Sequence, residues 1–457
     1  MSRRRFRKQK LPTEAIELNI TGLSHEGRGV AHVDGKVVFV DGALQGERVA
    51  AHYVRKRSSF DELRTSEVFD ASPVRVQPPC SFAGNCGGCS LQHMDASAQI
   101  DFKQSVLIEL MQQALADSLD SVDILPPLRD VELHYRRKAR LAVRFVSKKG
   151  GALVGFREKY SSFIAEMDSC EVLVEEVACL IAPLRELFTT LDGKMEIPQI
   201  EVAVGETAPE PDAAKEVALV VRHLEALSES DSAALTDFAR EHSVEMYLQP
   251  GGNDTVARLW PQRDEDRLRY FLPDFGLELA FHPMDFTQVN AGINRRIVSR
   301  ALDLLELNEQ DSVLDLFCGL GNFTLAAATR AGKVVGVEGS QEMVERGGEN
   351  AHRNGLSNTQ FYAANLAKSF ADESWATNSY SKVLLDPPRS GALEIIKEVA
   401  ALGAQKIVYI SCNPATLARD TAELVAAGYR LTTAGVMDMF PHTTHVESMA
   451  VFERRAK

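Results

Sequence analysis

Positive charge is what this sequence is short of: 51 Lys and Arg stand against 64 Asp and Glu, a formal net charge of −13 over 457 residues. Taken as an average, that deficit speaks against a nucleic-acid partner, because phosphate binding is driven by Lys and Arg. Long apolar runs are missing as well. No stretch approaches the ~18–20 residues of a membrane span, and the opening MSRRRFRKQK lacks the apolar core of a signal peptide. The expected compartment is therefore the cytoplasm, with no membrane partner. Cysteine is scarce, seven in all, which argues against a disulfide framework. Internal repeats and low-complexity segments are absent. With 45% hydrophobic and 25% charged residues the composition is that of a globular chain. At roughly 100–200 residues per domain, it is long enough for about two to four domains.

The charge deficit is local. Arg3, Arg4, Arg5, Arg7, Lys8 and Lys10 open the chain without an acid, and residues 131–160 hold nine Lys/Arg against two acids. Residues 161–245 hold 19 Asp/Glu against five Lys/Arg, so one acidic block accounts for the whole imbalance. A basic face for a polyanion stays open, although a charge run is as often a solvated surface. The expectation is that the acidic block keeps one side off phosphate while the basic segments face it.

Pattern divides the chain further. After a basic tail at 1–12, residues 13–72 are short β-type runs (EAIELNI, GVAHV, KVVFV, ERVAAHYVRKR) with turn signals at DG 34–35 and 41–42, as in a small β-barrel. A Pro/Cys-rich stretch at 73–92 is too irregular for a regular element. Residues 93–284 read as α+β: a helix near 97–118, strands around 131–145 and 152–157, and a βαβ-like run at 217–249. Residues 285–457 alternate strand and helix (SVLDLF, VVGVE, KVLLD, KIVYIS), the pattern of an α/β open parallel sheet with helices on both faces.

Asp315-Leu316-Phe317-Cys318-Gly319-Leu320-Gly321-Asn322 runs from an apolar strand into a glycine-rich turn, where a missing Cβ lets backbone approach a ligand. Glu338 ends the next strand 23 positions after Asp315, placed to accept hydrogen bonds from a ribose diol, and Asn365 follows a third strand. The third glycine of a dinucleotide-binding G-x-G-x-x-G is replaced by Thr324. The spacing therefore resembles class I S-adenosylmethionine methyltransferases more than NAD enzymes, and that resemblance implies a Rossmann-like fold. It gives Glu338 the ribose, sets Asn365 near the adenine, and counts Asn322 with the cofactor set.

Two further strands end in Asp386-Pro387-Pro388-Arg389 and Ser411-Cys412-Asn413-Pro414, where open α/β sheets bind ligands. Together with FTQVN at 286–290 and HVESM at 445–449, these motifs resemble the RNA uracil-5-methyltransferase family over essentially the whole catalytic domain. The resemblance implies a covalent route: Cys412 adds to C6 of uracil and Glu447 removes the C5 proton, giving 5-methyluridine. Asp386, Gln288 and Phe317 are then expected around the base and cofactor. Cys318 and Cys179 read as structural thiols. Amino-group methylation of a base typically uses an aromatic residue where Arg389 stands.

Cys80-x5-Cys86-x2-Cys89, with Cys170 as fourth candidate, suits either zinc or an iron–sulfur cluster by spacing alone. Members of the resembled family carry a C-x5-C-x2-C…C set on a [4Fe–4S] cluster, which implies that cofactor beside S-adenosyl-L-methionine. A radical S-adenosylmethionine enzyme would want C-x3-C-x2-C. GLSHEGRGVAHVDGKVVFVDGALQGERV resembles the TRAM domain, an RNA-binding barrel, for which Arg28, Phe39, Tyr53, Arg55, Lys56, Arg57 and Phe60 are candidate contacts and the basic run 136–149 an extension. Barrel plus cluster resembles the branch acting on 23S rRNA, by resemblance at uracil 1939. DNA is not an expected partner. A tRNA substrate, a dual-site rRNA enzyme and a non-catalytic RNA-remodelling protein are the alternatives.

Overall fold

The structure, a computed structural model, describes residues 11–210, 212–263 and 265–455; the arginine-rich start at 1–10 lies outside the described residues. The chain divides into two compact units, the first running to Phe102 and including Pro441–Thr444, the second comprising Lys103–Phe440 and the chain from His445.

Among the described residues six strands build the first unit: β1 (Ile16–Asn19), β2 (Gly22–Leu23), β3 (Gly29–Val33), β4 (Lys36–Asp41), β5 (Arg48–Lys56) and β6 (Phe60–Asp70), in the order β1-β5-β6-β4-β3-β2. Asp34 and Gly35 join β3 to β4 with φ of 50° and 79°, the mirror-image turn that matches strand twist and that an Asp-Gly pair supplies. Leu18, Val38, Val40, Val49, Ala51 and Leu63 form its core. The cysteine loop follows, and helix α1 (Ala96–Leu115) begins where the Asp95 carboxylate accepts from Ser97 N at 2.9 Å. The short segment Pro441–Thr444, from near the other end of the chain, packs with these residues.

The second unit takes in residues 103–115 of α1 and continues with β7 (Asp123–Ile124). Its first sheet contains β8 (Lys138–Val146), β9 (Gly151–Gly155), β10 (Gln199–Glu206), β11 (Lys215–Arg222), β12 (Glu245–Gln249) and β13 (Ala257–Trp260), with helices α2 (Glu175–Ala178), α3 (Ile181–Thr190) and α4 (Glu229–Glu241). β11 and β12 pair in parallel across α4, the βαβ run expected at 217–249. The strand expected from 131 starts only at Lys138. Upstream of it, Arg136 N donates to Val172 O and Arg137 N to Val289 O, so these backbone groups serve other loops.

The basic run does not stand apart from the acidic block. β8 lies beside β10 with Arg140 opposite Glu201, 2.7 Å apart, while Arg137 pairs with Glu206 and Lys149 with Glu166. The two charge runs neutralise one another in part, which corrects the expectation of opposite faces.

A hairpin of β14 (Leu268–Leu272) and β15 (Leu277–Phe281) leads into α5 (Ala291–Leu305). The remaining elements are β16 (Ser312–Leu316), α6 (Thr324–Ala328), β17 (Lys333–Glu338), α7 (Gln341–Arg353), β18 (Thr359–Ala363), β19 (Lys382–Leu385), α8 (Ile396–Ala401), β20 (Lys406–Ser411), α9 (Pro414–Ala426), β21 (Tyr429–Met437) and β22 (Glu447–Arg454). Their sheet runs β18-β17-β16-β19-β20-β22-β21-β7, parallel as far as β20 and antiparallel around β22. The apolar runs VL, VV, VLL and IVYI are buried, as strands covered on both faces require. No helix among the described residues is long and apolar enough to cross a membrane.

Asn350 of α7 docks the hairpin: its amide accepts from Ala280 N at 2.8 Å and donates to Ala280 O at 3.1 Å, fully buried. Asn350→Ala leaves both groups without that partner and should lower unfolding stability by about 2 kcal/mol, read from the denaturant midpoint.

Candidate active site

Register brings the functional strand ends together. β16, β19 and β20 run parallel, so the turns after Leu316, Leu385 and Ser411 open on the same edge. β22 runs antiparallel to β20 with Ser448 opposite Ser411, which sets Glu447 beside the residue that follows Ser411, Cys412.

In the glycine-rich turn Phe317, Gly319 and Gly321 all have positive φ (67°, 56° and 98°). Gly319 N donates to Glu338 Oε2 at 3.1 Å, while Gly339 N and Ser340 N donate to Glu338 Oε1 at 2.6 and 3.2 Å. Three backbone donors therefore hold this carboxylate in one orientation. Thr324, in place of a third glycine, donates its hydroxyl to Asp315 Oδ2 at 2.6 Å. Asp315 Oδ1 is buried without a hydrogen-bond partner, and burial, with the Asp386 and Glu338 charges adding to it, pushes the acid up to about 7.

A cleft of about 850 Å³ is lined by Gln288, Phe317, Glu338, Asp386, Cys412 and Glu447, six residues expected from sequence, together with Phe286, Arg389, Phe440 and Arg346. The two turns that carry Arg389 and Cys412 are tied: Asn413 Nδ2 donates to Arg389 O at 3.1 Å, and Asn413 Oδ1 accepts from Ala415 N at the start of α9. Arg389 Nη2 lies 3.1 Å from His445 Nδ1. Burial, then the Asp386 charge, pushes Glu447 up to about 8; burial alone pushes Asp386 up to about 7. The Cys412 thiol rises to about 11, through burial and then Glu447 and Asp386, with Arg389 pulling the other way.

Two residues assigned to the cofactor are engaged elsewhere. Asn322 pairs reciprocally with Asn294 at 2.9 and 3.1 Å and accepts from Tyr270 OH at 3.0 Å. Asn365 is exposed, and its Oδ1 accepts from Ala367 N at 3.0 Å. Phe286, at 70% the most exposed large apolar residue among the described residues, was not singled out from sequence. It lies inside the FTQVN motif, but a single Phe reads as core until its exposure is known.

In the first unit the cations of the barrel are stacked and shared. Arg28 sits over Phe39, Lys56 over Tyr53 and Arg57 over Phe60, at 4.9, 4.4 and 5.3 Å. Arg28, Arg55 and Arg57 all approach Glu62. Phe39 is half-buried, edge-on to Phe60. Cys80 and Cys86 are buried, Cys89 is half-buried, and Gly88 N donates to Cys86 Sγ at 3.3 Å, a contact that suits a thiolate. Cys170, also buried, belongs to the second unit. The donor chemistry fits a thiolate-held group. Among the described residues, however, no three His, Cys, Asp or Glu side chains are gathered as a metal-binding set.

Strand ends, a carboxylate held by three backbone donors and a Cys–Glu pair line one cleft, an arrangement that suits an enzyme of the methyl-transferring class, and comparison with known proteins agrees. The family model described as tRNA (Uracil-5-)-methyltransferase matches residues 263–455, and the TRAM domain matches residues 9–52. The chain belongs to the S-adenosylmethionine-dependent RNA uracil-5-methyltransferase family. Among curated relatives, the "23S rRNA (uracil(1939)-C(5))-methyltransferase RlmD" of Alcanivorax borkumensis is 53% identical over 99% of both chains. That of Hahella chejuensis is 51% identical over 99% of this chain and all of the relative. In fold, the chain is similar to the Pyrococcus abyssi tRNA (uracil-54, C5)-methyltransferase, solved with S-adenosyl-L-homocysteine: TM-score 0.71, 23% identity, 95% of this chain and 99% of that one.

Asp386 and Glu447 keep their protons to higher pH in the folded chain than in the unfolded one, where carboxyls titrate near ~4. The folded state therefore loses stability as pH rises from that value towards about 7 for Asp386 and about 8 for Glu447. Asp386→Asn and Glu447→Gln should each raise Tm at pH 8 and leave it unchanged at pH 4; equal shifts at both values would contradict this origin.

Proposed function

We propose that this protein methylates C5 of one uridine in 23S rRNA, the counterpart of uracil 1939, through a covalent adduct on Cys412. The observation that supports it most is a single cleft lined by Cys412, Glu447, Asp386 and Glu338. C5 of uracil is a weak nucleophile. Addition of the Cys412 thiolate to C6 moves the electron pair towards C5 and O4, and C5 of the enolate so formed attacks the methyl carbon as the methyl–sulfonium bond breaks to leave a neutral thioether. S-Adenosylmethionine, when bound, supplies the electrophilic methyl on a sulfonium. Glu447 then takes the C5 proton, the ring re-forms its double bond, and the C6–S bond breaks to return the thiolate. Glu338 would hold the ribose of the cofactor, with Gln288 and Phe317 beside it; Asn322 and Asn365 would need to exchange present partners to join. Asp386 would hydrogen-bond within the pocket, and exposed Phe286 offers a ring on which an extruded base can stack.

The proposed division of labour is a TRAM barrel at 13–72 that binds RNA, a cysteine loop at 73–92, a central domain at 93–284 and a catalytic domain at 285–457. Cys80, Cys86, Cys89 and Cys170 would hold a [4Fe–4S] cluster. Iron and sulfide analysis of anaerobically prepared protein tests this; stoichiometric zinc overturns it.

Cys412→Ala should abolish turnover and the covalent adduct with 5-fluorouridine RNA; retained activity refutes the nucleophile. Glu447→Gln should accumulate a methylated protein–RNA adduct. With Glu447 titrating near 8, the release step in the intact enzyme should accelerate as pH rises through that value. Mass spectrometry of rRNA and tRNA from a deletion strain decides the substrate: loss of 5-methyluridine from tRNA alone would favour the tRNA reading.

A further inference from the structure

Helix α1 carries two buried polar side chains, Gln99 and Lys103, that no step above uses; Gln99 is 1% exposed and Lys103 is fully buried. Four residues apart, they share one face of the helix. Lys103 Nζ donates to Asp438 Oδ1 at 2.6 Å and to the Phe440 carbonyl at 3.0 Å. Gln99 Oε1 accepts from His442 N at 2.8 Å, and its Nε2 lies 3.1 Å from His442 Nδ1 while donating to Met94 O at 2.8 Å. The His442 carbonyl accepts from Ser90 N and Leu91 N at 2.9 and 3.0 Å. His442 has a φ of 65°, a left-handed conformation that a residue with a Cβ keeps only where its surroundings over-determine it.

These bonds fall on the stretch between β21 and β22, which forms no regular element of its own from Asp438 to Val446. Phe440 in this stretch lines the cleft, and Glu447 follows His442 by five residues. We propose that Gln99 and Lys103 are positioning residues for proton removal from C5: by fixing residues 438–442 they set Glu447 in reach of the base. The proposal rests on Glu447 as that base. A general base acts only at hydrogen-bond distance from its proton, and a displacement of about 1 Å can cost about a hundredfold in rate. Methyl transfer itself depends on Cys412 and the cofactor turn, which these bonds do not hold.

Lys103 also contributes charge. Glu447 faces Asp386 and Arg389 on one side and Cys412 on the adjoining strand end, with His445 two residues away. Lys103 and Arg389 are the cations that favour its ionised form.

The test uses the full-length enzyme, S-adenosylmethionine and a uridine-containing transcript of the target RNA, with adduct formation and decay followed separately on denaturing gels. Gln99→Leu and Lys103→Met should slow adduct decay about tenfold or more and change its formation and the KM for S-adenosylmethionine less than about threefold. In Lys103→Met the pH midpoint of decay should also move upward. Lys103→Met/Asp438→Leu, which leaves no unpaired buried charge, keeps the fold and should still accumulate adduct. Wild-type decay in a folded variant, or formation and decay slowed equally, overturns the proposal. Glu447→Gln is the control: if it accumulates no adduct the base assignment fails, whereas adduct in Glu447→Gln but not in Gln99→Leu defeats this proposal alone.

Discussion

Antiparallel pairing of β22 with β20 is the constraint on which the cleft depends. Parallel strands deliver Asp315, Asp386 and Cys412 to one edge, but a strand running the same way would have brought its own C-terminal end there. Reversing the last strand brings its first residue instead, and Ser448 opposite Ser411 leaves Glu447 and Cys412 as neighbours just past the last pair. Because side chains alternate along a strand, a slip of one residue would turn the carboxyl to the other face. Six consecutive pairs from Lys406–Glu453 to Ser411–Ser448 make such a slip expensive.

That arrangement gathers acids where water is scarce. Asp315, Asp386 and Glu447 all hold protons more tightly than an exposed carboxyl, with burial the largest cause for each. The same surroundings oppose ionisation of Cys412, whose thiol rises to about 11. A neutral carboxylic acid next to a nucleophile repels a thiolate less than a carboxylate does, so protons on Asp386 or Glu447 and the nearby Arg389 act in the same direction on Cys412. In the proposed reaction Glu447 must then lose its proton before it can accept one from C5, so this carboxyl has to change state between the two steps.

What could be read in the residues was what depends on neighbours along the chain. The Asp-Gly turn at 34–35, the βαβ run at 217–249 and the strand ends at Asp386 and Cys412 follow from local pattern, and Thr324 as a departure from a third glycine was visible too. Partners brought together by tertiary packing were not. Asn322 spends its amide on Asn294, 28 residues away, and the barrel's arginines converge on Glu62. Arg140 meets Glu201 because β8 lies beside β10, so a charge count along the chain could not tell a polyanion-binding run from one answered by its own protein. The cysteine spacing was legible, but a ligand set is a matter of convergence, which spacing does not encode.

The bond between Gln99 and His442 joins residues 343 apart in sequence. Chains fold from the N-terminus as they are made, at about 5–20 residues per second. During nearly all of that time Ser90 N, Leu91 N and Gln99 lack the peptide group they hold in the finished protein. The first unit to leave the ribosome is thus among the last to be completed, and it is closed by four residues synthesised after Cys412.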